Sequence, residues 1–345
     1  MQQNDLYTLL KSAVLNKRNI LVVSGPGCGK THIAVKAMQD AGVKAVVMYP
    51  SIGDPTDAKG FPWIVDGKAE FIPFGDLALV YDCIAKSIPM ALFLDDLGQG
   101  AQATQASYMS LMDKLRGKCS VIAATNRRTD RAGVSGLLEP VKSRFHSIVH
   151  LEPSLNDFSN HLIDQGQALY GLDESAVVDI VSYLRFRPDN LFKFEPSNDL
   201  VNYPCPRTWV AAGQQLMLRL PTTIEFVALA GAIGEGVGGE FVSYRKMRHA
   251  LPSLDNLLKN PDSVAIDPNP SIQCAVCTGL AAKATKENFV SIARYCERLN
   301  EAGLGHMAAL LLQDCTRRNA ELMNTMEFQK LVTGPIGDLF LGIVH

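Results

Sequence analysis

The sequence predicts an α/β fold, a parallel β-sheet with helices on both faces, followed by a long all-helical region. Three observations predict it. Short apolar runs rich in β-branched residues alternate with stretches of helical spacing over residues 1–152. Each polar motif in that part follows the carboxyl end of such a run, where open parallel sheets place their ligands. From residue 153 onward the alternation ends and helical spacing takes over.

The chain opens with helical spacing over 6–16. Ile20-Leu21-Val22-Val23 is the first strand run, and 45–49, 90–94, 120–124 and 148–151 are the next candidates. Helical patterns at 76–87, 102–116 and 134–144 fall between them. A long insertion, 51–75, separates the second strand from helix 76–87. Inside it, two β-prone runs flank Asp66-Gly67, which reads as a hairpin spanning about 57–74. A loop this long in a compact domain is more often functional than not. Phe61, Trp63 and Phe71 either pack that hairpin onto its domain or are offered to a partner.

Residues 153–250 read as helices interrupted by an extended, proline-containing loop near 188–206. Residues 251–345 form a third region, with a proline-rich linker at 261–270. Helical patterns follow at 271–283, 287–301 and 305–323, and an apolar tail runs over 329–344. The expected division is therefore 1–152, 153–250 and 251–345.

At 345 residues, 47% apolar and 20% charged, the chain can bury real cores and is not disordered. A net charge of −2 argues against a general polyanion binder, although a local basic patch stays possible. Arg245, Lys246, Arg248 and His249 form one such small cluster, read as a solvated face. The start lacks the basic and apolar regions of a signal peptide, and no apolar run is long enough to span a bilayer. A soluble, cytoplasmic protein with no membrane partner is the expectation. Eight scattered cysteines fit reduced thiols. Cys274 and Cys277 lie in an apolar helical stretch with no second such pair, so they read as buried helix residues rather than zinc ligands.

The chemistry concentrates in Ser24-Gly25-Pro26-Gly27-Cys28-Gly29-Lys30-Thr31. Strand, glycine-rich turn, then Gly-Lys-Thr opening a helix is the context of a phosphate-binding P-loop. The glycines let backbone N–H groups converge on phosphate oxygens, and the helix N-terminus adds partial positive charge. Lys30 is expected to reach the β- and γ-phosphates, and the Thr31 hydroxyl to bind Mg²⁺. Ser24 departs from the pattern, which has glycine six residues before the lysine. Asp95 and Asp96 close the third strand run. Asp95 is expected in the Mg²⁺ shell, and Asp96 is placed to orient or deprotonate the attacking water. Asn126 follows the next strand, where it can hydrogen-bond the γ-phosphate or the lytic water. Arg144, just before the last strand, cannot easily reach its own nucleotide. It either stabilises transition-state charge in a neighbouring subunit or pairs with a surface carboxylate.

In this order and spacing the motifs resemble those of AAA+ ATPases, with Walker A at 24–31, Walker B at 91–96, sensor 1 at Asn126 and an arginine-finger position at Arg144. Pro206-Arg207-Thr208-Trp209 is similar to the sensor 2 motif, which implies that Arg207 reaches the γ-phosphate from a helical lid. More narrowly, the chain resembles the MoxR type, in the form often carried by phages and prophages. The segments that carry this are 54–63, 125–131, 183–188 and 203–209. The resemblance covers about residues 10–250 and implies an AAA+ P-loop parallel-sheet core, a helical lid and a helical C-terminal region. It also implies ATP and Mg²⁺, a ring homo-oligomer such as a hexamer, and chaperone-like work on a protein partner, often one with a von Willebrand A domain. In that family a hairpin at the position of 57–74 faces the central pore or a partner. Asp96 stands where the family usually has glutamate, and a carboxylate one methylene short can slow hydrolysis ~10²-fold. Two other classes share these motifs. A DNA-associated ATPase, such as a helicase loader or transposition regulator, carries a similar Asp-Asp-Leu-Gly, found here as Asp95-Asp96-Leu97-Gly98. A slow-turnover ATP-dependent switch is the other.

Overall fold

Parallel strands cannot be joined by tight turns, so each must be followed by a crossover that returns the chain to the same edge. The computed structural model, which describes residues 1–130, 136–196, 199–249 and 254–344, has this organisation in its first half. Its strands are β1 (Ile20–Ser24), β2 (Lys44–Met48), β3 (Phe61–Val65), β4 (Lys68–Ile72), β5 (Met90–Leu94), β6 (Ser120–Asn126) and β7 (Ser147–His150). Five of them form one sheet in the order β2-β5-β6-β1-β7, and every pairing in it is parallel. Helices Lys30–Asp40, Gly75–Ala85 and Gln102–Leu115 lie on the crossovers. Leu21, Val46, Leu92, Leu94 and Val121 of the strands share a buried cluster with Leu77, Val80, Tyr108, Leu111 and Leu115 of the helices. The parallel α/β fold predicted for this part is the fold observed, and after β7 the regular elements among the described residues are helices.

The chain divides into two compact units. The first holds Met1–Asp157 with Phe194–Leu200 and Cys205–Arg207, and the second holds Phe158–Lys193, Val201–Pro204 and Thr208–His345. Inside the second unit, Tyr183, Trp209, Phe241 and Tyr244 form a buried aromatic cluster. Leu280, Ile292, Leu299 and Leu311 build another core among the C-terminal helices. Cys274 and Cys277 are buried in helix Pro270–Ala282, as their apolar surroundings predict. Among the described residues, no helix is long and apolar enough to cross a membrane.

Several sequence expectations need correction. Of the helix expected over 134–144, residues 134–135 lie outside the described residues, and in the remainder only Glu139–Lys142 is helical. The buried Gln105 side chain takes up the backbone groups of the preceding segment: its Nε2 donates to Gly136 O at 3.0 Å and its Oε1 accepts from Leu138 N at 3.1 Å. Pro140 then suits only a first helical turn. The helix expected over 305–323 stops at Arg318. Asn319 is extended there, and its side chain accepts from Glu321 N to start a short 3₁₀ turn. The apolar tail is two helices, Met326–Val332 and Pro335–Val344. Arg245 is not on a solvated face, because it bonds Asp179 at 2.8 Å and Glu225 at 2.6 Å. The side chains of Arg248 and His249, like Arg131, lie outside the described residues.

The insertion folds as an antiparallel ribbon, with Phe61 opposite Ile72 and Val65 opposite Lys68. Asp66 and Gly67 both have positive φ, 50° and 75°, as a type I′ hairpin turn requires. At its base Gly60 has φ +98°, and a Cβ there would meet Ile72 O at 2.8 Å. The aromatic side chains do not pack down as local core: Phe61 is 53% exposed, Trp63 63% and Phe71 58%.

Candidate nucleotide site

The site begins with strand register. β1 and β6 are neighbours, and Ser24, the last residue of β1, stands opposite Asn126. Asn126 is thus the final residue of a strand rather than a turn residue after it, so the sheet itself holds it beside the loop. Beyond Ser24 the chain turns through Gly25, Pro26, Gly27, Cys28 and Gly29 into helix Lys30–Asp40. Gly27 and Gly29 have φ of 76° and 88°, a region in which side chains are strained. At Gly27 there is also no room, since a Cβ would collide with Cys205 Sγ. Cys28 is buried, and burial pushes its thiol up to about 11, with Lys30 pulling partly the other way. It is a packing group at neutral pH, not a nucleophile.

Lys30 is buried, only 7% exposed. Its ammonium makes three hydrogen bonds, to Ser24 Oγ at 3.1 Å, Gly25 O at 3.1 Å and Asn126 Oδ1 at 2.7 Å. All three acceptors are neutral oxygens. Burial lowers the Lys30 pKa, with Cys28, Asp96 and Asp95 opposing that shift. An ammonium can only donate, so Asn126 must present its Oδ1 to Lys30. Its Nδ2 then remains as the donor for a ligand oxygen.

The carboxylates sit just beyond the carboxyl end of β5. Thr31 Oγ1 donates to Asp95 Oδ2 at 2.7 Å, and Asp95 Oδ1 accepts from Asp96 N at 3.1 Å. The Asp95 backbone N–H bonds Met48 O at 2.9 Å, tying the strand end to β2. Asp96 adopts a left-handed conformation, φ 53° and ψ 38°. Burial raises its pKa first, Asp95 raises it further, and Lys30 and Arg207 oppose the shift.

Arg207 comes from far along the chain, yet its backbone N–H donates to Gly27 O at 3.2 Å. The structure therefore brings Lys30, Thr31, Asp95, Asp96, Asn126 and Arg207 together at the strand carboxyl ends. It does not bring Arg144 there. Arg144 O accepts from Asn19 Nδ2 at 3.2 Å, and Asn19 precedes β1, so Arg144 lies at the amino ends of the strands. Its guanidinium pairs with Asp113, Nη2 to Oδ2 at 2.6 Å and Nε to Oδ2 at 3.0 Å. Sequence reasoning missed two partners. Asp113 gave no signal, since nothing local ties it to Arg144. Ser24 did give one, because it is the position that breaks the P-loop pattern.

A magnesium-bound nucleotide triphosphate fits these residues. A desolvated cation whose own partners are all neutral is complementary to phosphate oxygens. A hydroxyl and a carboxylate oxygen already 2.7 Å apart are the hard oxygen donors that Mg²⁺ takes. Aligned backbone N–H groups at the helix start add further donors for an anion.

No protein-family model and no curated protein matches this chain. Solved structures are similar at low identity. The RuvB Holliday junction branch migration motor of Thermotoga maritima is 14% identical with a TM-score of 0.40, over 81% of this chain and 80% of that one. The FIGL-1 AAA domain in complex with ADP is 14% identical with a TM-score of 0.37, over 62% and 70%. The replication initiator DnaA bound to AMPPCP and single-stranded DNA is 16% identical with a TM-score of 0.38, over 95% and 93%. Similarity of this size assigns no activity or partner to this chain.

Proposed function

We propose that this chain is an ATP-hydrolysing AAA+ protein of the MoxR type, in its phage or prophage form, that works in a ring and remodels a protein partner. One observation carries the ATPase reading. The buried Lys30 ammonium, bonded only to neutral oxygens, stands with Thr31 on Asp95 at the carboxyl ends of adjacent parallel strands.

In this reading Gly25, Pro26, Gly27, Cys28 and Gly29 supply the backbone cradle, and Lys30 binds the β- and γ-phosphates. Thr31 and Asp95 hold Mg²⁺, which when bound neutralises developing charge on the phosphate oxygens. Asp96 orients or deprotonates the water. Asn126 offers Nδ2 to the γ-phosphate or the water, and Arg207 adds a cation from the lid segment. Arg144, at the opposite strand ends, serves a neighbouring subunit in a ring such as a hexamer. The exposed aromatics of the β3–β4 ribbon, Phe61, Trp63 and Phe71, then face the ring's partner, in the family often a von Willebrand A domain protein.

A Mg²⁺-dependent ATPase assay on the purified chain tests this. Wild type should hydrolyse ATP, and Asp96→Asn should bind it with near wild-type affinity while turnover falls ~10²-fold or more. Equal turnover in Asp96→Asn would remove the role given to Asp96. The short carboxylate at that position favours a second reading, a switch that hardly turns over. Faster hydrolysis by Asp96→Glu would support it.

A further inference from the structure

The P-loop pattern has glycine where this chain has Ser24, and that serine is fully buried. Its hydroxyl is not idle. It donates to Gly25 O at 2.8 Å. The oxygen's lone pairs are then directed elsewhere, and Lys30 Nζ donates to one of them at 3.1 Å. Gly25 O accepts from both the hydroxyl and the ammonium, so the three groups close a small ring. Asn126 Oδ1, held opposite Ser24 by the register of β1 and β6, takes the third ammonium proton. A glycine at position 24 would leave the ammonium two of these three acceptors. The remaining proton would then be available to an anion.

We infer that Ser24 is a positioning residue that holds the Lys30 ammonium against the loop and so competes with phosphate for it. The inference rests on the nucleotide reading of the site and adds a restraint to it. A triphosphate must take at least one ammonium proton from an internal oxygen, and Ser24 is the acceptor this chain adds to the pattern. The restraint weakens ground-state binding, and it keeps the desolvated lysine satisfied in the meantime.

Two measurements on Ser24→Gly, Ser24→Ala and Ser24→Thr test it. The first needs no nucleotide. An NMR pH titration of the Lys30 side chain should show a lower midpoint in the Gly and Ala variants, because one acceptor that favours the charged form is gone. Ser24→Thr, which keeps the hydroxyl, should titrate like wild type. The second is ATP affinity by calorimetry. Ser24→Gly and Ser24→Ala should bind ATP about fivefold more tightly, the scale of one net hydrogen bond. Ser24→Thr should stay within about twofold.

An unmoved Lys30 titration in both Gly and Ala variants would overturn the contact. Weaker ATP binding that tracks a drop in melting temperature would make Ser24 a structural residue and overturn the competition. Wild type that binds no ATP would sink the nucleotide reading and with it the competition, while the titration would still decide whether Ser24 holds Lys30.

Discussion

Two cations in this chain have side chains largely withdrawn from solvent, and their partners differ in kind. Lys30, in the first unit, bonds only neutral oxygens. Arg185, in the second, grips a carboxylate that is itself buried. Its Nη2 donates to Asp314 Oδ1 at 2.9 Å, its Nη1 also bonds Asp314, and Thr278 Oγ1 lies 3.2 Å from Nη1. Burial pushes the Arg185 pKa down, but the Asp314 charge and hydrogen bonds more than reverse that and leave it raised. For Lys30 burial prevails and the pKa is lowered. Burial alone therefore does not mark a functional cation. A buried charge closed by its counter-ion is structure, and one left electrostatically open is prepared for an anionic ligand.

The largest expected effects test that contrast directly. Lys30→Ala should lose ATP affinity ~100-fold or more, since it removes charge-assisted hydrogen bonds to phosphate. Its fold should survive, because no carboxylate is orphaned. Arg185→Ala should do the reverse, destabilising the second unit by ~3–5 kcal/mol by leaving Asp314 buried and unpaired. Denaturant unfolding and ATP titration on both variants check this. A Lys30→Ala protein that unfolds like Arg185→Ala would break the comparison.

Arg144 sharpens it as an intermediate case. Its pair with Asp113 is partly exposed, and such pairs are worth ~0–1 kcal/mol. If Arg144 acts across a subunit boundary, Arg144→Ala should cut hydrolysis ~10³-fold while ATP binding persists. Mixing it with Asp96→Asn subunits should restore part of the rate. Unchanged hydrolysis in Arg144→Ala would place it with Arg185, as a residue of structure alone.

The smallest effect is a pH dependence of stability. Because the folded-state pKa of Lys30 is lowered, the unfolded chain holds that proton more tightly. Stability then rises with pH between the folded and unfolded pKa values of Lys30, and the penalty is fully present below both. Lys30→Met should be more stable than wild type at neutral pH, with the difference shrinking as pH rises through the folded pKa. Arg185 has no such window, since its pKa is raised from an already high value. Chemical denaturation of wild type and Lys30→Met across alkaline pH checks the sign. A gap that widens with pH would contradict an open Lys30.

Much of the first unit was legible in the sequence, because periodicity and turn chemistry act over a few residues. The short apolar runs at Ile20, Ala91 and Val121, each bounded by polar turn residues, read as buried strands, and Asp66-Gly67 favours a type I′ turn wherever it stands. The loop from Gly25 to Thr31 declares itself by residue types that few other structures need. Tertiary structure decided what depends on distant residues. Strand register set Asn126 opposite Ser24 and thereby gave Lys30 its partners. Gln105, from another helix, kept 136–138 out of the helix that local spacing favoured. Asp113 claimed Arg144, one of the two fates its segment left open, and Asp179 and Glu225 claimed Arg245, which its segment alone placed on a solvated face. Charge pairing pays no regard to sequence separation, whereas backbone conformation is set largely by near neighbours. That is why the sequence by itself determined the elements and the loop, and only the folded chain determined which charges were closed and which stayed open.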